Sequence, residues 1–322
     1  MMIEKQEIVE LEELISNSNK IMLLTHDFPD GDAVGSLYSF CGYLESKDKD
    51  YRFCFNNLDE ELWNNLFPGF ADNRVSAEDI ASYGADLLVV LDCSNPDRLG
   101  PLMSALAGFE KIINIDHHGD NNFFGSLNII KEAAATGEVL YKIYEKVEWR
   151  MDVITAKATL TAILADTGRF QFVNTHPELF LIISKILAIC GMEEYFKIVQ
   201  GLYEEVTLNK LQLLGKAINN VEFFGNSVAF SYIEDNATLT EGLIDQIRAI
   251  KGVKVAVLVR RVEEMIKISF RSKDASVSVR ELAGKFGGGG HPGAAGATLP
   301  LTEITKQIAE IRKTVKEYAE SF

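Results

Sequence analysis

The chain has 322 residues, 47% hydrophobic and 25% charged, with 32 basic against 47 acidic side chains and a formal net charge of -15. That length leads us to expect two domains, each with its own core, and the acidic balance excludes a protein that coats long duplex nucleic acid through a general basic surface. No stretch has the length and hydropathy of a membrane span or secretion signal, so the expectation is a cytoplasmic protein without membrane contact.

The first predicted element is a buried strand over 21–24, followed at 25–36 by a turn containing His26, Asp30 and Asp32 and then by the helical pattern of Leu37, Phe40, Cys41 and Leu44. Pro29 and Gly31 interrupt regular structure, which lets the three side chains converge at the carboxyl end of the strand, where open α/β sheets place their sites. Taken alone, the same residues also suit a decorated turn in which Asp32 caps the helix.

Strands are expected at 51–55, at 87–91 ending in Asp92, and at 112–115 ending in Asp116, His117 and His118; residues 56–73 read as a loop with a helical turn. Helical patterns cover 133–146 and 152–165, the second running into Asp166, Thr167 and Gly168. A further helix opens at Pro177 and closes at Gly191. Strands alternating with helices predict a mostly parallel, doubly wound sheet.

The remainder reads as a smaller α+β domain. It has strands at 221–224 and 228–233, a helix from 241, a hairpin of 253–262 with 265–271 and a short helix at 278–286. A glycine run, Gly287 to Gly290, then leads to His291, and an amphipathic helix covers 301–320. The division expected is a metal-binding domain over 1–190, a helical linker over 191–219 and a substrate-binding domain over 220–322. Cys41, Cys54, Cys93 and Cys190 show no CxxC spacing and are expected to be reduced, buried thiols.

Strand-end acids and imidazoles carry the chemistry. Asp30, Asp32, Asp92 and Asp166 in one place would repel unless cations neutralised them, so divalent ions are expected. Oxygen-rich ligation with an imidazole per ion suits manganese, with magnesium or cobalt as substitutes. Two such ions at one phosphorus imply phosphoester hydrolysis. Consecutive glycines let the backbone approach an anion and present successive N–H groups to it, with His291 adding a polar contact. Basic residues cluster between Lys251 and Lys285, where Arg260, Arg261 and Lys267 read as solvated strand charges and a planar guanidinium would suit a phosphate.

His26-x-x-x-Asp30-x-Asp32, the strand-end Asp92, the Asp116-His117-His118 triplet and Asp166-Thr167-Gly168 resemble the four motifs of the DHH phosphoesterase superfamily. The run 287–296 resembles the signature of its associated C-terminal domain. The resemblance implies that His26 and Asp30 serve one metal, that Asp32 and His117 serve a second, and that Asp92 and Asp166 touch both. It further implies that His118 faces the substrate phosphate while Asp116 orients the histidine pair. Asp32, Asp92, His117 and His118 are then the catalytic set, and His118, Arg271, Gly288, Gly289, Gly290 and His291 the substrate contacts. Asp27 lies outside the motifs, and Ser94 and Arg98 follow Asp92 closely enough to help around a phosphate.

Length and motif set are similar to the nano-RNase and pAp-phosphatase type, which trims very short oligoribonucleotides to nucleoside monophosphates and dephosphorylates 3′-phosphoadenosine 5′-phosphate (pAp). The active site is expected in the cleft between the domains. The alternative is a phosphodiesterase for cyclic dinucleotides or linear pApA and pGpG. Less favoured are a RecJ-like DNA exonuclease, whose extra nucleic-acid-binding domain has no room here, and a nucleotide-binding protein with a dead site. The resemblance also allows a homodimer.

Overall fold

The structure, a computed structural model, describes residues 3–58, 60–69, 71–204, 207–225, 227–236, 242–274 and 276–320. The chain divides into two compact units, Met1–Glu205 and Val206–Phe322.

In the first unit the order is α1 (Lys5–Ser16), β1 (Lys20–Leu24), α2 (Gly31–Glu45), β2 (Asp50–Cys54), α3 (Glu60–Leu66), α4 (Ile80–Tyr83) and β3 (Leu87–Leu91). A 3-10 stretch (Pro96–Gly108) follows, then β4 (Ile112–Asp116), β5 (Leu127–Ile130), α5 (Thr136–Lys146), α6 (Val153–Asp166) and α7 (Pro177–Val199). All strand pairs are parallel, in the order β2-β1-β3-β4-β5. Both faces of this sheet are covered, which is why its strands read as unbroken apolar runs. Ile21, Leu23, Leu87 and Val89 join a core with α1, α2 and α5, while Met22, Leu24, Leu88 and Val90 face Leu99 and Leu102 of the 3-10 stretch. Strand order reverses between β1 and β3, and ligands of doubly wound sheets bind outside the carboxyl ends at such a point.

Several elements differ from expectation. The strand β5 and helix α1 were not among the expected elements, although α1 carries a capping box between Glu4 and Glu7, and α5 begins at Thr136 rather than 133, leaving 133–135 outside the helix. Asp30, not Asp32, caps α2: its Oδ1 accepts from the Asp32 and Ala33 amides at 3.0 and 3.1 Å. Gly191, with φ 83°, breaks the helical path within α7 as its glycine suggested. All four cysteines are free and buried. Among the described residues no helix is long and apolar enough to cross a membrane.

The second unit holds α8 (Leu208–Asn219), β6 (Glu222–Phe224), β7 (Val228–Asn236), α9 (Leu243–Ala249), β8 (Val255–Val262), β9 (Met265–Ser272), α10 (Val279–Gly284), β10 (Gly289–His291), β11 (Ala294–Pro300) and α11 (Ile304–Ala319). Its sheet runs β10-β11-β9-β8-β7-β6, antiparallel except for β7 with β8. One face packs on α10 and α11 and the other on α8 and α9.

The glycine run is not all loop. Gly289 and Gly290 pair with Gly296 and Ala295 in a hairpin. A Cβ at Gly290 would sit 2.6 Å from the Ala294 carbonyl oxygen, so backbone proximity excludes side chains there.

Candidate metal centre

Four separate stretches of the first unit deliver polar side chains to the carboxyl edge of the parallel sheet. His26 follows β1, Asp92 follows β3, and Asp116, which ends β4, is followed by His117 and His118. The fourth contribution depends on small residues. Cβ atoms built at Gly31 and Gly35 would stand 2.5 Å from the Ala165 Cβ and 2.6 Å from the Ala162 amide, and one at Gly42 would collide with Thr155. So α2 and α6 lie antiparallel at very short range, and the start of α2, with Asp30 and Asp32, meets the end of α6, with Asp166.

The ligand atoms form overlapping groups, His26–Asp30–Asp92 and Asp32–His117–Asp166, each within 4.8 Å, with Asp92 also grouped with Asp116, His117 and His118. His26 Nε2 is 3.7 Å from Asp92 Oδ2 and 3.9 Å from Asp30 Oδ1. His117 Nε2 is 3.7 Å from Asp92 Oδ1, 3.7 Å from Asp32 Oδ2 and 3.3 Å from Asp166 Oδ2. Asp92 therefore turns one oxygen toward each histidine. It is 2% exposed and sits at φ 55°, a left-handed backbone that a non-glycine residue adopts at a cost and that marks constrained positions.

Both histidines present the nitrogen a cation needs. His26 Nδ1 lies 2.9 Å from the Asp27 carbonyl and His117 Nδ1 3.2 Å from the Ala133 carbonyl. A carbonyl only accepts, so Nδ1 carries the proton and the Nε2 lone pair faces the carboxylates. His26 Nε2 is buried without a hydrogen-bond partner, an orphan that a cation would satisfy. Burial and the charges of Asp92, Asp166 and Asp30 push the Asp32 carboxyl well above its usual range. Burial, reinforced by Asp92 and Asp30 against the pull of His117, lifts Asp166 to about 6. Asp92 goes the other way: burial would raise it, but His26, His117 and His118 around it hold it well below the carboxylate range. Burial disfavours the His26 cation, yet the proximity of Asp92 and Asp30 outweighs it and raises its pKa. Without cations the cluster offsets its negative charge by holding protons on its acids and imidazoles. The donor set fits two divalent cations.

Asp116 is 0% exposed and already engaged by protein donors: Oδ1 accepts from the His117 amide at 2.8 Å and His118 Nδ1 at 2.7 Å, and Oδ2 from Asn121 Nδ2 at 2.7 Å. It thus orients the two histidines. Burial opposes the His118 cation, but the bond to Asp116 and the charge of Asp92 raise its pKa to about 9. Arg98 Nη1 can only donate, so at 3.2 Å it gives a hydrogen bond to His118 Nε2 while His118 Nδ1–H faces Asp116; the guanidinium so held stands beside His118, an arrangement suited to an anion.

Sequence reasoning missed the role of residues 133–137, the approach to α5 and its first two residues. The Thr136 and Gly137 amides donate to Asp32 Oδ2 and Oδ1 at 2.7 and 3.1 Å, and Thr136 Oγ1 donates to Asp92 Oδ1 at 2.9 Å. The available signal was negative. The N-cap of α5 is Ala135, which has no capping side chain, so the helix start takes its acceptor from Asp32 on another element.

The other expected contacts lie in the second unit. Arg271 pairs in register with Ala294, beside the glycine hairpin, and donates to the Phe270 carbonyl at 3.1 Å. Arg260 is not a solvated strand charge: it shares the Arg271 face, donates to Ser269 Oγ at 2.9 Å and keeps a buried Nε without a partner. Burial and Arg271 lower its pKa to about 10. Gly288 approaches Ala297 too closely for a Cβ. The His291 side chain lies outside the described residues.

Residues 20–166 match the DHH family, N-terminal domain, and 225–321 match the DHHA1 domain. A *Thermus thermophilus* protein named bifunctional oligoribonuclease and PAP phosphatase NrnA is 31% identical over 98% of this chain and 94% of its own. A *Bacillus subtilis* protein of the same name is 27% identical over 96% and 99%. In fold, the chain is similar to an exopolyphosphatase-related protein from *Bacteroides fragilis*, with a TM-score of 0.88 and 23% identity over 99% of this chain and 98% of that one. Both domains occur in the order the motifs run, and the likeness to a relative extends from end to end, so this chain belongs to the DHH family, with a DHHA1 domain after the DHH domain.

Proposed function

We propose that this protein is a two-cation phosphoester hydrolase that releases nucleoside monophosphates from very short oligoribonucleotides and removes a phosphate from pAp. The observation that carries the reading is the split of Asp92, whose Oδ2 faces His26 and whose Oδ1 faces His117, each at 3.7 Å. A buried carboxylate so placed suits a bridge between two cations. The substrate class is supported by the names of the *Thermus* and *Bacillus* relatives, which match this chain over nearly its full length.

In this reading His26, Asp30 and Asp92 would hold one cation and Asp32, Asp92, His117 and Asp166 the other, with manganese the preferred ion. The resemblance implied that Asp166 touches both ions; it is given to the second alone because its ligand atom groups with those of Asp32 and His117. The bound pair supplies a water of lowered pKa and neutralises charge developing at phosphorus. The remaining work falls to the chain itself. Arg98, which donates to His118 Nε2, presents positive charge to the phosphate, and His118, oriented by its Nδ1–H bond to Asp116, lies beside it. Arg271 and the glycine run at Gly289 and Gly290, with His291, grip a phosphate of the substrate. The expected Gly288 amide contact is not available, because that amide donates to the Ala283 carbonyl at 3.0 Å.

The test is product analysis over time with manganese, magnesium or cobalt, offering pAp, a linear RNA dinucleotide, a five-residue RNA, cyclic di-AMP and pyrophosphate at equal concentration. Hydrolysis of pAp and the short RNAs while the cyclic dinucleotide survives is the expected result. Preferential opening of the ring would assign the protein to cyclic-dinucleotide hydrolysis instead.

A further inference from the structure

The stretch 133–137 contributes no ligand atom, yet its polar groups are committed around the candidate metal centre. The Ala133 carbonyl fixes the His117 ring, the Thr136 and Gly137 amides take the two oxygens of Asp32, and the Thr136 hydroxyl takes Asp92 Oδ1. The stretch is itself pinned from behind. Glu138, 1% exposed, accepts from the Ala134 amide at 2.9 Å and contacts His176 Nε2 at 3.1 Å. Asn174 Nδ2 donates to the Ala134 carbonyl at 2.9 Å and to the Asp166 carbonyl at 3.0 Å.

These bonds are distributed unevenly. Among the described residues they reach Asp32, His117, the backbone of Asp166 and the Asp92 oxygen that faces His117. None reaches His26, Asp30 or the Asp92 oxygen that faces His26. On that side the holding contacts come from the turn itself: the Asp27 carbonyl fixes the His26 ring, and the Asp32 and Ala33 amides hold Asp30 Oδ1.

We propose that Thr136 is a positioning residue for one of the two cation sites only, the Asp32–His117–Asp166 side, and that the 133–137 strap holds the ligands of this site while those of the His26–Asp30 side are held by contacts within their own turn. The proposal rests on the two-cation reading above. The physical basis is orientation: a carboxylate whose oxygens are held by N–H and O–H donors has fewer arrangements to lose when a cation arrives, and such outer partners typically change metal affinity by ~10–100-fold. The hydroxyl of Thr136 is the separable part of this device, because its amide bond to Asp32 survives any side-chain change.

The experiment is a calorimetric titration of the metal-free full chain with Mn²⁺, comparing wild type, Thr136→Val, Thr136→Ser and Asp30→Asn. Valine keeps the shape and removes the donor, serine restores the donor, and asparagine keeps the α2 cap while removing a charge from the other side. We expect Thr136→Val to weaken one equivalent by ~10–100-fold with the second unchanged, Thr136→Ser to recover it, and Asp30→Asn to weaken the other equivalent. If Thr136→Val perturbs folding, seen as a lowered Tm of the metal-free chain, Asn174→Ala takes its place and must weaken the same equivalent. Unchanged affinities, equal loss at both equivalents, loss of the same equivalent in Thr136→Val and Asp30→Asn, or no recovery with serine overturns the proposal. A wild-type chain that takes up no cation overturns the two-cation reading beneath it.

Discussion

Asp92 carries the largest consequence of any single residue. Its neighbours hold it ionised, its backbone is in the left-handed region, and its two oxygens face different histidines. Replacing it with alanine should lower turnover by about 10⁴-fold, the scale on which one member of a concerted catalytic group acts, and should reduce bound cation from two equivalents; normal turnover would remove the bridging role. His118 differs in kind because Asp116 occupies its Nδ1. His118→Ala should slow turnover by roughly 10²–10⁴-fold while cation stoichiometry is unchanged, and loss of a bound equivalent would make it a ligand. In the second unit, Arg271→Ala removes charge-assisted hydrogen bonds worth ~1.5–3 kcal/mol, so KM for pAp should rise by at least about tenfold with kcat little altered. An unchanged KM would exclude a phosphate grip at this position.

At the scale of elements, the centre depends on how closely α2 and α6 approach. A methyl at Gly35 would lie 2.6 and 2.7 Å from backbone atoms of Ala162 and Ala158, which cannot swing aside. Gly35→Ala should therefore destabilise the protein by about 1–3 kcal/mol and spread Asp32 from Asp166. Thermal melting together with Mn²⁺ titration checks both effects. A stable variant with normal cation affinity would show that the glycine contact is not what brings the two acids together. The same logic explains Ala135, where a helix without its own cap is completed by a carboxylate of another helix.

For the whole molecule, the cluster ties stability to pH and cations. Asp32 and Asp166 have folded-state pKa values raised above those of an unfolded chain, Asp166 to about 6. A raised carboxyl contributes stability while protonated and loses it as pH climbs from the unfolded value toward the folded one. Asp92, held low, acts in the opposite sense and does so at more acidic pH. Between about pH 4 and 6 Asp166 should therefore cost the metal-free protein stability as pH rises, with Asp32 acting in the same direction, and cations, which bind the deprotonated acids, should reverse that cost. The Tm gain on adding Mn²⁺ should be larger at pH 8 than at pH 5.5, with proton release on binding near pH 6. Equal gains at both values would contradict this coupling.

Much of the protein was legible in the amino-acid order because its information is local. Apolar runs ending in Asp92 and in Asp116-His117-His118 mark buried parallel strands, and the resemblance of His26-x-x-x-Asp30-x-Asp32 and Asp166-Thr167-Gly168 to the DHH motifs is what points to His26, Asp30, Asp32 and Asp166 as partners of those residues. What the order of residues could not supply are contacts made at a distance by atoms common to every sequence: the amides of Thr136 and Gly137 on Asp32, the Ala133 carbonyl on His117, the short-range packing of Gly35 on Ala162. Backbone donors leave no composition signature, and a glycine reads the same whether it turns a loop or admits a helix. The partial burial of Arg260 was hidden for a related reason: alternation along a strand tells which residues share a face, but what covers that face is decided only when the sheet has folded.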